Sequence, residues 1–167
     1  MLVVRTTARA ISEAIAKADG CNELSIACYN GSKDIVVGGP LEQLSALKVM
    51  LESTGVKCIS VNVPFAYHTA AMDPILAELT DFASKFDFKP PKIPIVSNVA
   101  GKVVPATDGS VFDGAYFARH CREPVRFEEG ANDLAEVFGT IGAFVEIGPH
   151  PTTLPMVSHL KIGRAHV

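Results

Sequence analysis

Residues 24–63, LSIACYNGSKDIVVGGPLEQLSALKVMLESTGVKCISVNV, carry two strand signals, a helix signal and a further strand signal in that order. LSIACY and DIVVG are apolar runs joined by a turn containing Asn30, Gly31 and Ser32, the pattern of a hairpin. After Pro40, Leu41, Leu44, Leu47 and Leu51 recur at helical spacing, and Gly55 stands where a left-handed C-terminal cap is needed. In the closing run Ile59, Val61 and Val63 alternate with Ser60 and Asn62, which predicts a half-buried strand with the three apolar residues turned inward. Working upstream, Leu2, Val3 and Val4 open a strand, and a helix from Thr7 to Asp19 groups Ile11, Ala14, Ile15 and Ala18 while leaving Glu13 and Lys17 in water, with Gly20 as its stop. Residues 1–64 therefore read strand, helix, strand, strand, helix, strand, the split βαβ order of a ferredoxin-like module. That order assigns no function.

Downstream the texture changes. After VPFAYHT, a long helix is predicted from Met72, Ile75, Leu76, Leu79, Phe82, Ala83 and Phe86, with Asp73 and Pro74 as cap and first turn. It should stop at KPPK, where Pro90 and Pro91 cannot donate backbone hydrogen bonds. A strand IPIVSNV leads to Gly101, helical stretches follow at 112–120 and 128–138, and AFVEIG (143–148) reads as an apolar strand before the turn GPHP. The class is α/β (α+β).

The chain has 167 residues, 48% hydrophobic and 20% charged, enough for one compact domain or two small subdomains with a real core. Fifteen basic against 18 acidic side chains give a net charge of −3 without blocks of one sign, so there is no footprint for nucleic acid or an anionic membrane. No apolar run approaches the ~18 residues of a membrane span. Cys21, Cys28, Cys58 and Cys121 form no CxxC pair and read as reduced thiols, and a cytoplasmic setting is expected.

Among residues that could carry chemistry, His68 follows a strand end, where an imidazole can project into a cleft and act as a general base. Spacing alone favours the other reading, a structural histidine at the start of the next helix, because a single histidine does not mark a site. His120, His150, His68 and Cys121 have no ligand spacing for a metal, so none is expected. Arg119, Arg122 and Arg126 alternate with Glu123, Glu128 and Glu129, which suits surface ion pairs or, less simply, an anion site. Asp73 reads as a helix cap rather than a catalytic carboxylate. There is neither a G-x-S-x-G elbow nor a Walker loop, so a candidate base stands without a nucleophile.

VPFAYHTAAMDPIL, IPIVSNVAG, YFARHCREPVRF and FVEIGPHP, in this order, resemble the acyltransferase domain of polyketide and fatty acid synthases over about residues 1–160. The likeness is to the malonyl-CoA:acyl carrier protein transacylase domain of fungal iterative non-reducing polyketide synthases. It implies a ferredoxin-like subdomain at 1–64 and the C-terminal part of an α/β hydrolase-like subdomain at 65–161. It also implies that a serine in a GHSxG elbow takes malonyl from CoA and passes it to the phosphopantetheine thiol of an acyl carrier protein. By this resemblance His68 matches the catalytic base, and His120 matches the position whose backbone carbonyl orients it. Phe65, Ala66 and Tyr67 match the segment that selects the extender unit, where a bulky Tyr67 favours malonyl over methylmalonyl. No cofactor is implied beyond the malonyl-CoA substrate and the partner's phosphopantetheine, and the implied partners are the carrier protein, the ketosynthase and other domains of one polypeptide.

The serine, the carboxylate-pairing arginine and the oxyanion-hole glutamine of the family belong to the half before residue 1, so the chain alone is not expected to transfer acyl groups. Apolar residues around Val63, Phe65 and Ile95 should then be exposed. A non-catalytic carrier-protein docking module, or a related serine hydrolase, are the alternatives. The final IGRAHV (162–167) is the translation of a common sequencing adapter in one frame, and is left out of the fold.

Overall fold

The computed structural model describes residues 1–18 and 20–160, so the reading of 162–167 falls outside the described residues. Strands β1 (Leu2–Val4), β2 (Ser25–Gly31), β3 (Asp34–Gly38) and β4 (Cys58–Ser60) form an antiparallel sheet in the order β2-β3-β1-β4. Helices α1 (Ala8–Lys17) and α2 (Leu41–Ser53) connect them, which is the strand and helix order expected from the sequence. The register opposes Leu2 to Val37 and Val4 to both Ile35 and Cys58. One sheet face therefore presents Leu2, Val4, Ile35, Val37 and Cys58, and Ile11, Leu44, Leu47 and Leu51 from the helices close over it as the main core. Thr7 caps α1 by accepting the Ala10 amide at 3.3 Å.

The last strand of this unit departs from expectation. It ends at Ser60, and it is Cys58 that faces the core, 8% exposed, while Ile59 and Val61 are 42% and 37% exposed. The phase is set by Val4, fully buried and paired with Cys58, and a one-residue change of register turns every side chain to the opposite face. Ile59 therefore shares the face away from the helices with its β1 partner Val3, and with Val36 of β3 beyond it.

The expected long helix at 72–86 is shorter and broken. Residues 70–75 wind as a tight 3-10 turn containing Pro74, and α3 spans only Leu76–Ala83. Proline cannot supply an intrahelical amide, so the segment before it is wound separately from the regular helix. Met72 and Ala83 are buried, but Ile75, Phe82 and Phe86 are 48%, 57% and 57% exposed. Helix α4 (Gly114–Arg122), capped by Asp113 through the Tyr116 amide at 2.7 Å, packs against α3, with Gly114 directly over Ser84. The IPIVSNV stretch contributes only β5 (Ile95–Ser97), which pairs with β6 (Lys102–Val104) around Gly101 at φ +64°. Helix α5 (Phe127–Phe138) covers this hairpin, and its Asp133 accepts the Val103 amide at 2.7 Å. The two halves of the chain join at the β2 edge, where the Tyr29 amide donates to the Val125 carbonyl and the Val125 amide to the Ala27 carbonyl, both at 2.8 Å.

AFVEIG is not a strand. No described strand lies beside it, and without a neighbour its amides and carbonyls have no ladder to join, leaving Val145 and Ile147 82% and 96% exposed. Phe65 and Ile95 are exposed as expected, at 60% and 40%, whereas Val63 is half-buried.

Glu146 fastens the following turn. Its carboxylate accepts the amides of Thr152, Thr153 and Leu154 at 2.8–3.0 Å, just where the short α6 (Leu154–His159) begins. These bonds, led by that of Leu154, pull the carboxyl down to about 2 from its ordinary 4.5. The ionised form is thus favoured in the fold, and the anchoring is complete above the ordinary value and lost as pH falls from about 4.5 towards about 2. Glu146→Gln is expected to speed amide hydrogen exchange at Thr152–Leu154 at neutral pH, since one neutral carbonyl oxygen cannot hold three donors. Unchanged exchange would refute the anchoring role.

Candidate active site

The loop 64–69 connects the first sheet to the helical half. Within it His68 is the one non-glycine residue with positive φ, +61°, among the described residues. An L-residue in that region carries roughly 1–3 kcal/mol of strain, and such strain is found where a side chain must be aimed. Three contacts hold the bend. The His68 amide donates to the Cys121 carbonyl at 3.2 Å, in the last turn of α4 where carbonyls lack helical partners. The buried Thr69 hydroxyl donates to the Ala66 carbonyl at 2.6 Å and accepts the Ala71 amide at 3.2 Å.

The imidazole of His68 is half-buried and meets the His120 ring edge-on, centroids 5.8 Å apart at 78°. His120 in turn lies 6.1 Å from the Tyr116 ring, whose hydroxyl is hydrogen-bonded to Ser97 at 3.0 Å in the interior. The expected bond from a His120 carbonyl to the His68 ring is not formed, because Nδ1 of His68 is buried with no hydrogen-bond partner among the described residues. The carbonyl that reaches this loop is that of Cys121, and it takes the main-chain amide. His120 is brought beside His68 by its ring instead.

Burial, and secondarily the nearness of His68, holds His120 below its ordinary value near 6.5. A histidine kept neutral by the fold costs stability as pH falls, from the ordinary histidine range down to its own lowered value, because the unfolded chain binds the proton first. His120→Asn is therefore expected to lessen the acid sensitivity of the melting temperature as pH falls below the ordinary histidine value near 6.5. Its effect on acyl loading should be within about tenfold, as the main chain that holds His68 is kept. A loss like that of removing His68 itself would overturn this ranking.

Phe65, Ala66 and Tyr67 precede His68 on the same loop. Phe65 and Tyr67 are edge-on at 6.1 Å, and both are exposed. Phe65 and Ala66, with Pro64, border two grooves. One of about 650 Å³ runs along Pro64, Thr69 and Arg122, the other of about 530 Å³ along Leu41, Val61 and Val63. Tyr67 and the His68 ring line neither.

The arginines form ion pairs: Arg122 with Asp73, Arg119 with Glu123 at 3.3 Å, and Arg126 with Glu129 at 4.0 Å. Asp73 thus joins the 3-10 turn to α4 rather than capping a helix. The Cys28 thiol is pushed up to about 11, chiefly by burial and further by Asp34, and so is kept protonated. Among the described residues no three of His, Cys, Asp and Glu are grouped to hold a metal ion, and no helix is long and apolar enough to cross a membrane. The role of Thr69 in bracing the bend had no signal in the sequence beyond its place next to His68.

The acyl transferase domain family model matches residues 4–160. The chain belongs to the acyl transferase domain family. This acyl transferase chain is 39% identical over 161 residues to the orsellinic acid synthase ArmB of Armillaria ostoyae, covering 95% of the chain and 7% of the synthase. It is 41% identical over 170 residues to an orsellinic acid synthase of Beauveria bassiana (99% and 8%), and 37% over 166 residues to the non-reducing polyketide synthase adaA of Aspergillus niger (98% and 9%). It thus spans less than a tenth of these relatives. Among solved structures, the acyltransferase domain from module 8 of the salinomycin polyketide synthase superposes with a TM-score of 0.82 at 30% identity, over 94% of this chain and 36% of that one. A loading acyltransferase from the avermectin modular polyketide synthase gives 0.82 at 26% identity, over 95% and 49%.

Proposed function

We propose that this chain supplies the base-bearing part of an acyltransferase domain in a non-reducing polyketide synthase, moving malonyl from CoA to a carrier-protein phosphopantetheine thiol through an acyl-serine. The observation that carries it is His68, bent into the left-handed region and held there from two sides, within a chain matched to the acyl transferase domain over nearly its whole length. The division falls at residue 64, with a ferredoxin-like subdomain before it and the C-terminal part of an α/β hydrolase-like subdomain after it.

In the reaction His68 takes the serine proton as the hydroxyl attacks the malonyl thioester, and returns it to the leaving CoA thiolate. The same ring then takes the proton of the phosphopantetheine thiol as that thiol attacks the acyl-serine, and returns it to the serine oxygen as the acyl–oxygen bond breaks. Phe65, Ala66 and Tyr67 set the extender choice, the exposed ring of Tyr67 crowding an α-methyl branch. One methyl is worth only about 1–3 kcal/mol of discrimination. The serine, and the arginine for the malonyl carboxylate, come from outside residues 1–167. The working protein is cytoplasmic, needs no cofactor of its own, and meets its carrier protein and ketosynthase as domains of one polypeptide.

The test is intact-protein mass spectrometry of a complete domain containing this chain, offered malonyl-, methylmalonyl- or acetyl-CoA. A malonyl-enzyme formed in preference to the others is expected. No acyl-enzyme with any of the three would overturn the proposal.

A further inference from the structure

Gly38 ends β3, in the middle of the first sheet, opposite Ser25 of β2. Its φ is not positive, so backbone freedom does not explain it, and a glycine inside a strand gives up stability. What it permits is close approach. A Cβ at this position would lie 2.7 Å from Thr69 Cγ2 and 3.4 Å from Ala66 Cβ, the two residues that bracket the His68 bend. The 66–69 loop therefore lies directly on the sheet face away from the helices, with nothing but the missing side chain between them.

We propose that Gly38 and Thr69 are positioning residues that set the His68 imidazole through this sheet-to-loop contact, an inference that rests on His68 being the transacylase base. Gly38 fixes how deep the loop sits, and the Thr69 hydroxyl, bonded to Ala66 and Ala71, fixes its shape. The Cys121 carbonyl holds the His68 amide between those two bonds. The only atom that a new Cβ must displace is a methyl carbon of the buried Thr69, whose hydroxyl is tied to Ala66 and Ala71. Gly38→Ala should thus lift the loop by a fraction of an ångström to an ångström. A misplacement of that size at a reacting group is worth on the order of 10- to 100-fold in rate.

The contact predicts its own rescue, because Thr69→Ser removes the obstructing methyl and keeps the oxygen. In a complete domain containing this chain, single-turnover malonyl loading of the serine is measured for the wild type, Gly38→Ala, Thr69→Ser, the double variant and His68→Ala. Gly38→Ala is expected to slow loading by about 10- to 100-fold with the malonyl-CoA KM nearly unchanged. In the Thr69→Ser background the same change should cost at least about tenfold less. Wild-type loading by Gly38→Ala, or an equal cost in both backgrounds, would overturn the inference. Should Gly38→Ala fail to fold, Thr69→Ala against Thr69→Ser decides: slower loading by the alanine variant supports the role, and equal rates refute it. Inactive His68→Ala beside a normal Gly38→Ala sinks the positioning role alone, whereas undiminished loading by His68→Ala sinks the assignment of the base on which it rests.

Discussion

Replacing His68 by alanine in a complete domain is expected to slow malonyl loading of the serine by about 10²- to 10⁴-fold, the range that a positioned acid–base group contributes. A serine hydroxyl is a poor nucleophile without a base, and the leaving thiolate also needs a proton donor within reach. In the proposed reaction both demands fall on one imidazole. The loss should appear in the rate of acylation rather than in malonyl-CoA affinity, because an interaction made only as the proton moves lowers kcat and kcat/KM together. The fold should persist, since the contacts that set the loop are main-chain to Cys121 and side-chain from Thr69, and neither uses the imidazole. Removing a left-handed non-glycine side chain for a smaller one does not relieve the φ of +61°, so no gain in stability is expected either. Stopped-flow loading and a thermal melt on the same protein check both halves. Loading within a few-fold of wild type would remove His68 from the chemistry.

Leu47→Ala is expected to do the opposite, lowering stability by about 2–5 kcal/mol while leaving the loading rate of the remaining folded protein nearly unchanged. Leu47 is fully buried between α2 and the first sheet, in the layer with Leu2, Val37 and Leu44. Truncation leaves a cavity that the sheet cannot close, because Leu2 and Val37 are paired across the ladder and cannot move independently. That core lies on the helix side of the sheet, whereas the His68 loop rests on the other side through Gly38. Denaturant unfolding, followed by loading measured well below the new midpoint, separates the two effects. A shift under about 1 kcal/mol would mean that the core collapses around the gap.

Legibility along the chain followed the source of each constraint. Helices α1 and α2 were readable because their apolar spacing and glycine stops are local properties of consecutive residues, and the stretches expected at 112–120 and 128–138 fall within two residues of α4 and α5. The phase of β4 was not, because Cys58, Ile59, Val61 and Val63 offer apolar residues to both faces and only the pairing of Cys58 with Val4 chooses between them. AFVEIG has the composition of a buried strand, but a strand exists only through a neighbour, and none of the described strands flanks it. The long helix at 72–86 failed at Pro74, where periodicity of side chains outlasted continuity of backbone hydrogen bonds. His68 could be singled out as an imidazole after a strand end, yet nothing in its neighbours indicated a left-handed backbone.

What residues 1–167 settle by themselves is the order of strands and helices in the first sheet unit, together with the four ordered motifs that mark the acyl transferase family. These are written in local periodicity and in short strings of side chains. Which faces are buried, that His120 meets His68 by ring rather than carbonyl, and that Gly38 lies against Thr69, 31 residues downstream, depended on the folded chain. Such facts are distances between residues far apart in sequence, and they exist only once the sheet has fixed its register and α4 has been laid against the loop.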